Sequence, residues 1–577
     1  MRCNQLTLFL FYNKPSRKFQ IIKISLLAHN FQKDDRIIMK KLLLLILASA
    51  VIFSCEGYDK FPGADEFAPG KNDSEQTPGD SEEPDNPENP EEPTNPENPE
   101  NPDPENPDTP DQPENPDPET PDQPETPAPG WNYSPVTTST FGHAGLGYIW
   151  DENAMPEITI TMSVDEWNKF LAAYDKNANN KDYFYCDITY KKGSETHKVE
   201  DAGIRLRGNT SRRRPEAHRN DGKHVTNGAD WQHCHFGVNL RKFVKDNNHE
   251  IKGIRKFNLK WFKDDACYVR EVFCYDLFRR AGIWTAAFNV YCRLWVHVEG
   301  DSKPAYYGVY EMIEPYDDKF LAKRENLFGN ADGNLWKCSY DSHGPADLRN
   351  PDANMAEDND RDDFTYELKE TGADFNTAKA QLQDFIKKIN GKAHGTPGDS
   401  FYTWIKQVCD VELLMRTYAV NVAVGMWDDL WNNGNNYYLY FNSQDLYDYK
   451  VFLLPYDYDN SLGTCNCYDP AKQDPYSWGD KGILMERMME YEEFRAIYRD
   501  ELKRLVNPAN GLMDTQSAMA RIKNWQSKIQ SYISNDTGED MKIEDKPAEW
   551  GKWGDYNLMS TNNNYFMVKA QTINSMK

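Results

Sequence analysis

The chain has 577 residues and a net charge of −26, and 13% of its residues are aromatic. The charge is unevenly spread, since 19 Asp and Glu residues but no Lys or Arg lie between Glu75 and Glu125. This stretch supplies most of the net charge. The remainder is only mildly acidic, which argues against nucleic acid as a partner.

The amino-terminal 55 residues have the pattern of an export signal. Residues 1–38 are basic and unpatterned, and Met39 is a better start because two lysines and an apolar run from Leu42 to Phe53 follow it. The run is too short to span a membrane and ends just before Cys55, in a pattern that resembles a bacterial lipobox. We predict that residues 1–38 are a mis-assigned upstream start, that 39–55 is a lipoprotein signal peptide, and that Cys55 carries the acyl anchor.

Residues 56–130 are predicted to be a disordered acidic tether. From Pro84 to Pro102 a proline recurs every third residue, separated by Glu, Asp and Asn. Such a composition cannot bury a core, and the fixed φ of proline with like-charge repulsion favours an extended, polyproline-like chain.

Strands dominate the first part of the remaining chain. Alternating apolar residues from Pro156 to Met162 predict a strand, and Ser163 with Glu166 forms the capping box of a helix that follows. A second helix is predicted from Tyr268 to Ala281, and Gly282 ends it. Further strands are predicted at 183–190, 202–207, 256–261, 290–298, 306–313 and 333–337.

Helices dominate the second part. They are predicted at 376–389, 410–424, 491–505 and 515–532. No internal linker interrupts residues 131–577, so we expect an α+β unit of two lobes, a β-rich N-lobe at about 131–345 and a helical C-lobe at about 346–577.

A hairpin between these helices carries the most chemistry. Asp428 and Asp429 stand in an Asn-rich loop before an aromatic strand that begins near Asn436. A second strand, 450–454, is followed directly by Asp457 and Asp459. The hairpin would bring both polar segments to one end of a sheet. Carboxylate and amide oxygens suit Mg²⁺, and the order of residues matches a phosphotransferase. An acidic surface hairpin or a structural Ca²⁺ site is the alternative.

A turn rich in arginine offers a second polar site. Arg207, Gly208 and Asn209 follow a predicted strand, and such a turn can present backbone N–H groups and guanidinium groups to phosphate.

Together these motifs resemble the CotH family, the spore-coat protein H-like group of atypical protein kinases. The resemblance rests on Arg207–Ser211, on Tyr307–Glu314, on the Asp428 loop with its aromatic strand, and on Pro455–Gly463. It implies a kinase-like fold, ATP with Mg²⁺ (or Mn²⁺), and phosphorylation of protein Ser or Thr side chains.

The resemblance also implies roles for single residues. Asp428 matches the catalytic Asp, with Asp429 as a rival because the loop is lengthened, and the metal ligands are Asn436, Asp457 and Asp459. Nucleotide contacts are expected from the Arg207–Asn209 turn and from Glu314, which resembles a hinge residue facing adenine. Lys260 or Arg270 is expected to contact phosphate, and the sequence does not decide between the two.

Two functions therefore compete. The first is a metal-dependent kinase for surface or exported proteins, held on the outer membrane or cell surface through its lipid anchor only. The second is an inert kinase-like domain that serves protein or glycan binding. The sequence does not identify the acceptor protein of the kinase.

Cys465 and Cys467 lie beside the hairpin, but their spacing does not indicate zinc, so no metal is assigned to them.

Overall fold

The computed structural model describes residues 132–225, 230–357, 364–539 and 541–577 and two strands near the amino terminus. These strands, β1 (Leu6–Tyr12) and β2 (Gln20–Leu26), pair antiparallel. The chain divides into two compact units, Met1–Gly130 and Trp131–Lys577. The predicted signal peptide, Cys55 and the tether lie outside the described residues. Among the helices that the structure describes, none is long and apolar enough to cross a membrane.

Seven strands of the second unit form a closed barrel. They are β3 (Glu157–Met162), β4 (Phe184–Lys192), β5 (Glu195–Arg207), β6 (His235–Asn239), β7 (Lys256–Lys260), β8 (Asn289–Val298) and β9 (Ala305–Ile313). Their order is β3-β4-β5-β6-β7-β9-β8. Neighbours are antiparallel except β3 and β8, whose parallel pairing closes the barrel. Alternate residues of β3 are buried, as expected when one face of a strand points inward.

Two helices pack with the barrel. Helix α1 (Ala144–Ile149) precedes β3, and α2 (Val164–Lys176) follows it, capped by the Ser163 hydroxyl, which accepts a hydrogen bond from the backbone N–H of Glu166 at 3.2 Å. This cap is the predicted one.

Helix α3 (Arg270–Arg280) connects β7 to β8, and Gly282 follows its end at φ +84°. A Cβ at Gly282 would meet the carbonyl oxygen of Tyr133 at 2.4 Å, so only glycine fits there.

Five further strands form a second sheet. They are β10 (Asn334–Cys338), β11 (Met355–Glu357), β12 (Tyr366–Glu370), β13 (Tyr437–Phe441) and β14 (Val451–Pro455), in the order β11-β12-β10-β13-β14. Because β10 pairs with β12 and β13, it belongs to this sheet. The predicted lobe boundary near residue 345 would separate β10 from its partners. The change from barrel to second sheet falls between Ile313 and Asn334, and the lobe boundary itself stays a prediction.

The remaining α-helices of the described residues all follow β9 along the chain. They are α4 (Asp318–Ala322), α5 (Glu325–Phe328), α6 (Phe375–Gly391), α7 (Ser400–Val408), α8 (Val411–Ala423), α9 (Ile483–Met488), α10 (Glu492–Val506), α11 (Thr515–Ile529) and α12 (Tyr565–Asn574). Buried residues of the barrel, the sheet and these helices form one continuous apolar cluster. The architecture is therefore mixed α+β, as predicted.

The carboxyl-terminal helix supports the segment that carries the hairpin. The Tyr565 hydroxyl donates to the carbonyl oxygen of Ala423 at 3.0 Å, at the end of α8. The Lys569 ammonium donates to the carbonyl oxygen of Pro470, also at 3.0 Å. The end of the chain therefore braces both sides of the hairpin.

Candidate functional site

The β13–β14 hairpin brings two polar segments to one end of the sheet. Its register pairs Tyr437 with Pro455, so Asn436 and Asp457 stand at the same end. Both residues adopt left-handed backbone conformations, with φ of +54° and +63°. Asn and Asp tolerate this region better than most residues. The predicted convergence of the two segments is present.

Asp428 is held by a set of side-chain amides. Its Oδ1 accepts hydrogen bonds from Asn433 at 2.6 Å and Asn435 at 3.0 Å, and its Oδ2 accepts from Asn436 at 2.9 Å. Burial nevertheless raises the pKa of Asp428 above its usual range, and the charge of Asp457 adds to the rise. The amides fix the carboxylate in one orientation.

Asp429 faces the protein interior and organises the same loop. The side chain is buried and accepts from the Asn432 N–H at 2.8 Å and from the Asn421 amide at 2.5 Å. Its carbonyl oxygen also accepts the N–H groups of Asn433 and Asn435. Burial raises the pKa of Asp429 to about 7. Of the two aspartates considered for the catalytic role, Asp428 lies beside Asn436, whereas Asp429 supports the loop from the protein interior.

Lys260 lies at the centre of three carboxylates. Its ammonium is 2.5 Å from Glu271, 2.5 Å from Asp457 and 3.1 Å from Asp459. Glu271 comes from α3, the helix that follows the Lys260 strand, whereas the two aspartates follow β14. The side chains of Asp457 and Asp459 are 36% and 25% exposed, so the cluster opens to solvent on their side.

The charges of this cluster do not balance. Burial alone would lower the pKa of Lys260, but the three carboxylates outweigh it and raise the pKa well above the usual value. Burial raises the pKa of Asp459 to about 7 and that of Glu271 well above 4.5. Asp457 differs, because Lys260 outweighs burial and lowers its pKa. One lysine is thus shared by three carboxylates, and two of these have raised pKa values.

The arginine turn reaches the same region. The Arg207 guanidinium donates to the Tyr456 hydroxyl at 3.2 Å, and its charge helps to lower the pKa of Asp457. Gly208 adopts φ +101°, and a Cβ there would meet the Ser211 hydroxyl at 2.4 Å. Asn209 is exposed beside it. Of the three predicted residues of this turn, Arg207 is the one whose side chain contacts the hairpin.

Two predicted nucleotide contacts lie elsewhere. Arg270 is completely buried, pairs with Asp265 at 2.7 Å and donates to the carbonyl oxygen of Lys546. Its guanidinium is therefore occupied, and Lys260 is the basic residue that reaches the carboxylates. This corrects the alternative that assigned a phosphate contact to Arg270.

Glu314 is also committed within the protein. Its carboxylate pairs with Arg324 at 2.7 Å and Lys323 at 3.2 Å, and its N–H donates to the carbonyl oxygen of Phe288. Neither group is available to an adenine ring, so a hinge role for Glu314 is restricted to its backbone carbonyl.

Comparison with known proteins assigns the family. The sequence model of the family described as CotH kinase protein matches residues 204–565. The chain belongs to the CotH kinase family. The match begins in β5 and ends at the start of α12, so it includes the Lys260 cluster, the Asp428 loop and the hairpin. No curated protein matches the chain.

The carboxylates of the Lys260 cluster form a donor set suited to a divalent cation. Oxygens of Glu271, Asp457 and Asp459 lie within 4.8 Å of one another. Hard oxygen ligands of this kind suit Mg²⁺ and Mn²⁺, and a cation would offset the surplus negative charge. The residues present therefore fit such an ion. Asn436 could add only its amide oxygen, because its Nδ2 donates to Asp428.

The sequence prediction missed two residues of this candidate site. No role was predicted for Glu271, and a Lys on one strand with a Glu on the next helix is the signal that could have found it. Lys337 on β10 lies with its ammonium 6.0 Å from the ring centre of Tyr456, and its charge also lowers the pKa of Asp457. No local motif marks Lys337.

Proposed function

We propose that the chain is an atypical CotH-type kinase that transfers the γ-phosphate of ATP to Ser or Thr of proteins with a divalent metal. The observation that carries the proposal is the Lys260–Glu271 ion pair beside Asp457 and Asp459. Protein kinases use a strand Lys paired with a helix Glu, together with a metal-binding Asp and a catalytic-loop Asp. Family membership supports the same conclusion.

The proposal includes a two-lobed arrangement. In it, the β-barrel is the N-lobe, and the second sheet with its helices is the C-lobe. The N-lobe contributes Lys260 and Arg207 from the barrel and Glu271 from α3, and the C-lobe contributes Asp428, Asn436, Asp457 and Asp459. The nucleotide would then lie where the two sets of residues meet.

The chain's own residues have different tasks, and Glu271 serves both Lys260 and the metal. Glu271 holds the Lys260 ammonium in position, and Lys260, Arg207 and Lys337 provide positive charge for the phosphates. Asp457 and Asp459, with Glu271 and the Asn436 amide oxygen, would hold the metal, which when bound neutralises phosphate charge. Asp428, fixed by three amides, orients the acceptor hydroxyl and accepts its proton. Burial and the neighbouring Asp457 make Asp428 a better base than an exposed aspartate.

We also propose where the kinase works. The predicted lipidation of Cys55 and the acidic tether would place the domain on the outer membrane or cell surface, with exported or surface proteins as substrates. The sequence features of residues 39–130 support this location.

The proposal is tested by phosphotransfer from ATP with Mg²⁺ or Mn²⁺ by the full chain. Asp428→Asn should slow autophosphorylation by ~10²–10⁴-fold, because it removes the base, while nucleotide still raises the melting temperature. Asp500→Asn is the matched control, since Asp500 is exposed on α10.

A wild-type chain that neither binds nucleotide nor autophosphorylates with either metal would contradict the proposal. It would favour the inert domain that serves surface binding.

A further inference from the structure

Two cysteines lie next to the Asp428 loop with their sulfurs in contact. The Sγ atoms of Cys465 and Cys467 are 3.3 Å apart, and a disulfide bond needs about 2.0 Å. Of the nine cysteines in the described residues, Cys467 is the exposed one and Cys465 is buried. Both are free thiols in this structure.

The two cysteines differ in their backbone contacts and exposure. The N–H of Cys465 donates to the carbonyl oxygen of Gly551 at 2.8 Å, and Cys465 forms a β-bridge with Lys552. Cys467 stands two residues later in a bend at the surface. Cys465 is therefore held by its backbone contacts with residues 551–552, and Cys467, in the exposed bend, is the residue that can close the gap.

A metal site is the other use of paired cysteines. Within the described parts of the chain, the group of three or more metal-ligating side chains is the one formed by Glu271, Asp457 and Asp459, and no such group includes either cysteine. Two sulfurs alone do not complete the four-ligand set of a structural zinc site. The pair is better suited to redox chemistry.

Cys467 also contacts the loop of the site. Its sulfur accepts a hydrogen bond from the Asn432 side-chain amide at 3.7 Å. The same amide donates to the carbonyl oxygen of Trp427 at 2.7 Å, and the Asn432 N–H holds the Asp429 carboxylate at 2.8 Å. A movement of Cys467 toward Cys465 therefore acts on a residue that supports the Asp428–Asp429 pair.

We propose that Cys465 and Cys467 are a reversible redox site, and that their disulfide loosens the loop that carries Asp428. The oxidant is a disulfide reagent such as oxidised glutathione. The Cys467 thiolate attacks one reagent sulfur and displaces a thiolate. The Cys465 thiolate then attacks the Cys467 sulfur and displaces the second reagent thiolate. In total, one S–S bond forms and one is broken, and the two cysteine protons pass through water to the two released thiolates, which leave as thiols.

Reversibility follows from the short ring and the exposed sulfur. Only one residue separates the two cysteines, so the ring is strained, and strained or exposed disulfides are the labile ones. The disulfide itself does not depend on kinase activity. Its consequence for phosphotransfer rests on the proposed function.

The test equilibrates the full chain with oxidised or reduced glutathione, followed by alkylation and peptide mass spectrometry. The 465–467 peptide of the wild type should lose both alkylation sites and two hydrogens after oxidation, and reduction should restore them. Cys467→Ser removes an exposed thiol without affecting the core, and it should show no such change. Two alkylatable cysteines after oxidation, or a stable mixed disulfide at Cys467, would overturn the proposal.

Amide hydrogen exchange across 427–436 tests the coupling without ATP. Oxidised wild type should exchange faster there than reduced wild type, and Cys467→Ser should not respond to oxidant. Unchanged exchange in a chain that does form the disulfide would overturn the coupling. If reduced and oxidised chains both lack phosphotransfer, the proposed function fails while the alkylation result stands.

Discussion

Two buried charged clusters at the ends of barrel strands have opposite charge balance. At the end of β7, the single cation of Lys260 contacts three carboxylates. At the end of β9, the single carboxylate of Glu314 contacts the two cations Arg324 and Lys323. The Glu314 cluster is closed, with side chains of Glu314 and Arg324 fully buried, whereas Asp457 and Asp459 reach solvent.

The pKa values follow from this difference. Burial alone would raise the pKa of Glu314, but Arg324 and Lys323 outweigh it and lower the pKa below the usual range. Burial dominates at Asp459 and raises its pKa to about 7. At Glu314 the carboxylate is already neutralised by cations of the same chain, so this cluster is structural. A cluster with surplus carboxylates that open to solvent can take a cation, so charge balance distinguishes the site from the scaffold.

The largest expected effect is on stability at the closed cluster. Arg324→Met should lower the free energy of unfolding by ~3–5 kcal/mol, because it leaves the buried Glu314 carboxylate without its main partner. Asp459→Asn should change it by less than about 1 kcal/mol in metal-free protein, because it removes surplus negative charge. Urea unfolding measures both variants. Equal losses of unfolding free energy in the two variants would contradict the distinction between a structural cluster and a cation-binding one.

A somewhat smaller effect is expected on catalysis at the Lys260 cluster, which opens to solvent. Lys260→Met should reduce phosphotransfer by ~10²–10³-fold, since it removes a positioned charge from the phosphates. Lys323→Met is the matched control in the closed cluster and should leave the rate per folded molecule unchanged. Steady-state rates of both variants, normalised to the folded fraction, decide the comparison. A similar loss of rate in both variants would contradict the assignment of Lys260.

The smallest effect concerns pH. Glu311 lies in β9, three residues before Glu314, and stands opposite Lys260 of β7 in the strand register. Burial raises the pKa of Glu311 to about 7, although the Asn289 amide opposes the rise. The folded state then binds the proton more tightly than the unfolded state, so stability falls as pH rises from about 4.5 to about 7. Glu311→Gln should flatten this part of the stability curve.

Glu314→Gln should act in the opposite sense. The lowered pKa of Glu314 contributes stability above the unfolded value, and this contribution is lost as pH falls. This variant should therefore be less stable than wild type at neutral pH, and the difference should shrink in acid. Parallel stability curves for the two glutamine variants would remove the distinction between the clusters.

The sequence predicted the local elements well. The β13–β14 hairpin and the Ser163 cap were recognisable because alternating or aromatic runs end at polar residues. Strand β6 was missed, since all five of its residues are buried and no alternation marks it. The closure of the barrel by parallel pairing of β3 and β8 joins segments more than a hundred residues apart, which no local pattern reveals.

The candidate site was predictable in part, because some of its residues belong to a local hairpin. Asp428, Asn436, Asp457 and Asp459 follow or precede strands of one hairpin, so their convergence follows from its register. The partner of Lys260 is set by the position of α3 relative to β7, and neighbouring Arg270 has the same sequence features as a phosphate ligand. Only the fold shows that Arg270 turns toward Asp265 and that Lys337 approaches from another sheet.

The central claim is that the Lys260 cluster is the metal and nucleotide site. The most direct test measures the affinity of the full chain for a non-hydrolysable ATP analogue with and without Mn²⁺. We predict that Mn²⁺ strengthens binding in wild type and in Glu314→Gln, but not in Asp459→Asn. The same Mn²⁺ dependence in Asp459→Asn as in wild type would contradict the claim.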